Sequence, residues 1–78
     1  MFVNAASRYP LILNPRARSE RAQRARRFVM ENATRFAIYA TNTAEESAEL
    51  ARRFSEEGEE VVVAAGGDGT LNAVVRGL

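Results

Sequence analysis

The 78-residue chain contains no cysteine, histidine, tryptophan or lysine, and the first two absences limit its chemistry. Without cysteine the chain forms no disulfide and offers no thiolate to a metal, which fits a reducing compartment. Without histidine it lacks the commonest metal ligand and the usual general base at neutral pH. Any site must therefore use other groups, and we expect a cytoplasmic protein.

Long apolar runs are also missing. No stretch approaches the roughly 18–20 apolar residues of a membrane span. The opening MFVNAASRYP lacks the basic start and long apolar core of a secretory signal. We expect no integral membrane segment, and we assign residues 1–78 to one small domain, because a chain of this length builds a single thin core.

The charge is unevenly distributed. Residues 1–40 carry a net charge of +6 and residues 41–78 a net charge of −5, and six arginines fall between positions 16 and 27. Such a cluster can bind nucleic acid or an anionic membrane. Because no aromatic residues are interleaved and the total charge is +1, we interpret it as the solvated face of a helix and expect no nucleic-acid partner.

The hydrophobic pattern alternates between two periods. Short apolar runs predict strands at 9–14, 35–40 and 60–65, the last of them continuously apolar after Glu60, as in a strand covered on both faces. Helical spacing predicts helices from 19 to about 31, from 43 to 57, and after Gly69. The order β-α-β-α-β-α predicts a three-layer α/β fold around a short parallel sheet of three strands.

Local signals place the helix ends. Ser19 is the predicted N-cap of the first helix, and Asn32 ends it. Thr43 and Glu46 form a predicted capping box, and Gly58 stops the second helix. An ion pair is expected between Glu49 and Arg53. The expected core is Phe28, Phe36, Ile38, Phe54 and Val61–Val63.

Three of the five glycines and the only aspartate fall in Gly66-Gly67-Asp68-Gly69, followed by Thr70. Between a strand and a helix, such a loop exposes backbone N–H groups that can bind phosphate. It is neither a Walker A loop nor a G-x-G-x-x-G motif. Two structural alternatives remain: a β-hairpin with an Asp-Gly turn, and a loop in which Asp68 only caps the last helix.

At this point the chain resembles a known family. The segment AAGGDGTLNAVVRGL (64–78) is similar to the signature of the diacylglycerol kinase catalytic domain, which bacterial lipid kinases, sphingosine kinases and ceramide kinases share. LILNPRA (11–17) resembles the opening strand of that family, and AELAR (48–52) resembles its second helix. Gly-Gly-Asp-Gly also marks the NAD kinases and the phosphofructokinases, which leaves an NAD kinase as an alternative.

The resemblance implies an ATP- and Mg²⁺-dependent kinase that acts on a lipid acceptor. It implies that the loop at Gly66, Gly67, Asp68, Gly69 and Thr70 cradles the ATP phosphates, with Asp68 near the transferred phosphate and its metal. Asn14 and Thr41 are implied to lie near the nucleotide.

Three departures from the family pattern stand out. Arg16-Ala17-Arg18 replaces the usual Ser-Gly pair after Asn-Pro, and Asn72-Ala73 replaces Asn-Glu. The sequence ends at Leu78, before the second lobe, which in the family carries the lipid pocket. We therefore expect the 78-residue chain alone to be inactive.

A non-enzymatic alternative follows from the last helix. If its apolar residues Leu71, Val74 and Val75 are left exposed, they form a patch through which the chain could dimerise.

Overall fold

The computed structural model describes residues 8–78, so the expectation about the opening decapeptide falls largely on residues 1–7 and lies outside them. The elements in chain order are β1 (Tyr9–Leu13), α1 (Glu20–Glu31), a short 3-10 helix (Ala33–Arg35), β2 (Phe36–Ala40), α2 (Ala44–Glu56), β3 (Val63–Ala65) and α3 (Asp68–Gly77). The predicted α/β order is confirmed. Across residues 8–78, no helix has the length and apolar character needed to cross a membrane.

The three strands form a parallel sheet in the order β2-β1-β3. The central strand β1 pairs with β2 on one side and with β3 on the other. Leu13, its last residue, lies opposite both Ala40 and Ala65. The sheet therefore changes its winding direction at β1, and the carboxyl ends of all three strands meet at one edge.

Helices cover both faces of this sheet, because the crossover from β1 to β2 and the crossover from β2 past β1 to β3 run in opposite directions across it. Leu11 and Leu13 face α1 and pack with Val29. Ile12 points the opposite way, as strand alternation requires, and packs with Ala51 and Val74 of α2 and α3. The predicted three-layer arrangement follows from this alternation within one strand.

The predicted helix ends are confirmed, with one change. The Ser19 hydroxyl accepts a hydrogen bond from the Ala22 N–H, and the Thr43 hydroxyl accepts one from the Glu46 N–H. The Glu46 carboxylate, however, accepts from the Asn42 N–H, one residue before the cap, so the capping box is not reciprocal. Gly58 ends α2 in the left-handed conformation, with a φ of 88°.

The predicted ion pair between Glu49 and Arg53 is wrong. Arg52 instead binds Glu49 and also Glu56, one helical turn away on each side. The hydrogen bond from Arg52 holds the pKa of Glu49 below its ordinary value. Arg52 lies between two carboxylates on the same face of the helix and forms an ion pair with each of them.

Several residues predicted in the core are exposed. Phe28, Ile38 and Val61 are 58%, 38% and 48% exposed, although Phe54 is buried. Within residues 8–78, β2 and β3 each pair with β1 alone, so their outer edges lie open. β3 spans only Val63–Ala65 because its register reaches just three residues of β1, which leaves Val61 outside the sheet.

The three apolar residues of α3 that were expected to form one patch are not exposed together. Val74 is buried, whereas Leu71 and Val75 are 54% and 62% exposed. Small residues make the close contact with α2: a Cβ added to Gly77 would lie 2.1 Å from the carbonyl oxygen of Ala48. The close approach of the two helices, rather than side-chain size, decides which face is buried.

This contact generates a stability prediction. Gly77→Ala is expected to lower the free energy of unfolding by about 1–3 kcal/mol, because backbone atoms must move to admit the methyl group. Gly69→Ala is the matched control in the same helix: it meets open space and should leave stability unchanged or raise it by up to about 1 kcal/mol. Urea unfolding of the two variants tests this, and equal midpoints would contradict the packing assigned to Gly77.

Candidate nucleotide site

Three of the residues predicted to bind a nucleotide follow the three strands at the carboxyl edge of the sheet. Because Leu13 lies between Ala40 and Ala65, the next residues Thr41, Asn14 and Gly66 stand side by side. Hydrogen bonds extend the ladder into this row: the Thr41 N–H donates to Leu13, and the Asn14 N–H donates to Ala65. Ligands of open α/β sheets bind at such an edge, where the winding direction changes.

Asn14 begins a tight turn. Its Oδ1 accepts a hydrogen bond from the Arg16 N–H at 3.0 Å, and its carbonyl accepts one from the Ala17 N–H at 3.4 Å. The amide oxygen is therefore used within the chain, whereas the Asn14 NH₂ group can still donate to a ligand.

Gly66 is required by the packing of the chain itself. Its φ is 156°, and a Cβ there would lie 2.7 Å from the Thr70 hydroxyl oxygen and 3.4 Å from the Asn14 Cβ. Thr70 is buried beneath the loop, only 5% exposed. Gly66 thus lies close to both Thr70 and Asn14.

Gly67 has no such requirement. Its φ of −90° and ψ of −173° are accessible to any residue, and a Cβ would meet only the Ala17 Cβ, at 3.8 Å. A Cβ on Gly69 would have no neighbour within 4 Å. Because Gly67 has no side chain, an open space remains next to its Cα atom, and none of the described residues fills it.

The amino terminus of α3 differs from those of the other two helices. Ser19 and Thr43 cap α1 and α2 through hydroxyl groups, but α3 begins at Gly67 with no side-chain cap. This excludes the interpretation that Asp68 merely caps the helix, and the parallel pairing of β3 excludes the hairpin. The first N–H groups of α3 therefore have no side-chain acceptor, as in helix termini that bind anions.

A depression of about 480 Å³ opens beside this terminus, lined by Ala17, Arg18, Ser19, Arg21, Gly67 and Asp68. Asp68 lies at its rim, and its carboxylate accepts a hydrogen bond from Arg21 at 3.3 Å. Both side chains are well exposed, so solvent screens this pair and leaves each group able to exchange partners.

Thr41 is held apart from this depression. It is 4% exposed, and its hydroxyl lies 2.7 Å from the Ser47 hydroxyl of α2 in a buried hydrogen bond. It borders a different cleft, of about 420 Å³, that runs along α2 past Glu45 and Glu49. Thr41 thus lies beside Asn14 but turns its hydroxyl into the fold.

The donor set suits a metal shared with phosphate rather than a metal held by protein alone. Within residues 8–78, no three carboxylate, histidine or cysteine side chains come together. Asp68 is the one carboxylate that lines the depression. Mg²⁺ is commonly bound through one or two carboxylates together with substrate phosphates, so Asp68 fits that kind of ligation.

Comparison with protein families matches residues 8–78 to the diacylglycerol kinase catalytic domain. The chain belongs to this family. The match covers all the elements described, from β1 to α3. No curated protein and no solved structure matches the chain. Membership of this kinase family implies use of ATP in general terms and a lipid-type substrate.

The sequence alone did not single out two arginines at the site, because all six arginines between positions 16 and 27 were interpreted as the solvated face of a helix. Arg18 and Arg21 line the depression with Gly67 and Asp68. A signal was available, because in a parallel fold the first turn of each crossover helix starts at the carboxyl edge of the sheet. Arginines at the start of α1 therefore belong beside the glycine loop of this diacylglycerol kinase-type domain.

The two central glycines are predicted to respond differently to the same substitution. Gly66→Ala should lower the free energy of unfolding, because the added methyl group collides with Thr70 and the backbone conformation is strained. Gly67→Ala should leave stability unchanged or raise it by about 0.4–1 kcal/mol, since the chain fits the new side chain and loses unfolded-state entropy. Thermal and urea unfolding measure both, and destabilisation by Gly67→Ala would contradict the assignment.

Proposed function

We propose that this chain is the nucleotide-binding part of an ATP-dependent lipid kinase, in which the γ-phosphate of ATP passes to a lipid hydroxyl. The observation that carries the proposal is Gly67, where the bare backbone opens onto the depression although neither its conformation nor its packing requires glycine. Close approach of a phosphate accounts for that choice. The family match favours lipid kinases over NAD kinases.

In this proposal Gly66–Thr70 cradles the phosphates. The N–H groups at the uncapped start of α3 orient the anionic oxygens, and the positive end of the helix dipole stabilises their charge. Gly66 and Thr70 shape the loop from below, where Thr70 is buried.

Asp68 has the catalytic role in this proposal. When bound, ATP would supply the phosphoryl group, and the Asp68 carboxylate, which lines the depression, would hold a Mg²⁺ that neutralises phosphate charge. Phosphoryl transfer needs positioning and charge neutralisation more than covalent chemistry, so one well-placed carboxylate fits the task.

Asn14 and Thr41 complete the proposed nucleotide site. The Asn14 amide can donate to the nucleotide because its oxygen is already bound to the Arg16 N–H. Thr41 supports this edge, with its hydroxyl anchored on Ser47. The proposal also places the protein in the cytoplasm, because the cytoplasm supplies ATP.

The acceptor pocket is a separate question. The resemblance to the family implies that a second lobe supplies this pocket, and in our proposal the sheet and helices of residues 8–78 form the nucleotide side. We therefore expect the 78-residue chain alone to bind ATP without transferring phosphate, because positioning the acceptor is most of the catalysis.

Nucleotide binding is tested by NMR titration of the 78-residue chain with Mg-ATP. Saturable shifts are expected at Gly66–Thr70 and Asn14. Gly67→Val should weaken binding roughly tenfold or more, because its branched side chain occupies the space of the phosphate. Circular dichroism of Gly67→Val checks that the variant is still folded. If the folded chain shows no chemical-shift changes with Mg-ATP, the proposal is wrong and the chain is better described as a non-catalytic module.

Self-association is a second candidate property, favoured by the exposure of Leu71 and Val75 on α3. Val74, which was expected to share in the interface, is buried against α2 and cannot. We propose that α3 contacts a second copy of the chain through Leu71 and Val75, since exposed apolar patches often mark interfaces.

Sedimentation measured from micromolar to millimolar protein checks this. The wild-type chain should shift towards a dimer as the concentration rises, and Leu71→Glu should remain a monomer, because a charge in the apolar contact is costly. Asn72→Glu, which adds the same charge at the neighbouring exposed position, should still dimerise. A wild-type chain that stays monomeric throughout rules the dimer out.

A further inference from the structure

Two arginines beside the glycine loop are not accounted for by the proposed cradle. Arg18 and Arg21 line the depression together with Gly67 and Asp68. Arg21 also borders a smaller cavity of about 180 Å³ that reaches Gly66 and Leu71 on the other side of the loop. Arg21 thus borders two cavities that are also lined by Gly67 and Asp68 of the loop.

The turn that carries Arg18 is held by a set of hydrogen bonds. The Gln23 side-chain amide donates to the Arg18 carbonyl at 3.0 Å, and the half-buried Arg26 donates to the Ala17 carbonyl. With the bond from the Arg16 N–H to Asn14, these contacts fix the backbone from both ends. Arg18 therefore starts from an ordered position beside the loop, although its side chain is exposed.

The charge balance of the depression also needs an explanation. Asp68 places a negative charge at its rim, which repels a polyphosphate. Arg21 lies 3.3 Å from that carboxylate and is the cation that offsets it. Arginine offers five N–H donors in a planar fork suited to phosphate oxygens, and the contact to Asp68 uses one nitrogen of that fork.

We propose that Arg21 is a phosphate-binding, specificity-determining residue of this site, with Arg18 as its second cation. In the absence of nucleotide Arg21 pairs with Asp68. With nucleotide bound, its guanidinium turns to the phosphates and leaves the carboxylate to the metal. The inference rests on the proposed nucleotide function and adds to it a preference for polyphosphate over monophosphate.

The test compares the affinities of the 78-residue chain for ATP, ADP and AMP, each with Mg²⁺, by calorimetry or NMR titration. Arg21→Ala should weaken ATP binding about tenfold or more, ADP less, and AMP by about twofold or less, because the lost contacts are to the outer phosphates. Arg21→Lys keeps the charge but loses the fork, and should fall between the wild type and Arg21→Ala.

Arg27→Ala is the matched control. Arg27 is an exposed arginine of the same helix that lines neither cavity, so its removal changes net charge equally without touching the site. Nucleotide affinities of this variant should stay within about twofold of the wild type. Circular dichroism confirms that all the variants fold.

The outcomes separate the two proposals. A wild-type chain that binds none of the three nucleotides overturns the nucleotide function, and this inference with it. A wild-type chain that binds ATP while Arg21→Ala binds equally well overturns the role of Arg21 alone. An equal loss for all three nucleotides, or an equal loss in Arg27→Ala, also overturns it, since the effect would then not arise from contact with the outer phosphates.

Discussion

The arrangement depends on one constraint: β1 is buried on both faces and paired on both edges. Leu11 and Ile12 are fully buried and point to opposite sides of the sheet, so each face needs its own helix layer. Pairing on both edges places the ends of β1 and β3 side by side. Asn14 follows β1 and Gly66 follows β3, so the two residues are neighbours. The pairing itself is required, because the backbone N–H and C=O groups of the buried strand β1 need hydrogen-bond partners on adjacent strands.

The glycines divide into two kinds on physical grounds. Gly66 and Gly77 are demanded by the fold, since a methyl group at either position would collide with Thr70 or with the backbone of α2. Gly67 is not, because its conformation suits any residue and its surroundings are open. A motif that looks uniform in sequence thus combines a residue that supports the loop with one that leaves space above it. In this diacylglycerol kinase-type domain, the open space lies at Gly67, where we propose that phosphate binds.

Much of the fold could be predicted because it rests on local chemistry. The hydroxyl caps at Ser19 and Thr43, the stop at Gly58 and the alternation of strands and helices depend on residues near one another in sequence. The exposure of Phe28 and Ile38 could not be predicted from local sequence, because it depends on which strands lie at the edges of the sheet. Hydrophobicity predicts a preference for burial, whereas the available neighbours decide whether burial occurs.

The sequence by itself determined the order of the elements, their caps, the glycine loop between a strand and a helix, and the family. Only the tertiary structure decided which loops meet. It placed Arg21, 47 positions before Asp68, against that carboxylate, and it turned the Thr41 hydroxyl inward to Ser47. It also selected the small residues of α3 for the contact with α2. These outcomes depend on the strand order β2-β1-β3, which joins residues distant in the chain and which no local pattern encodes.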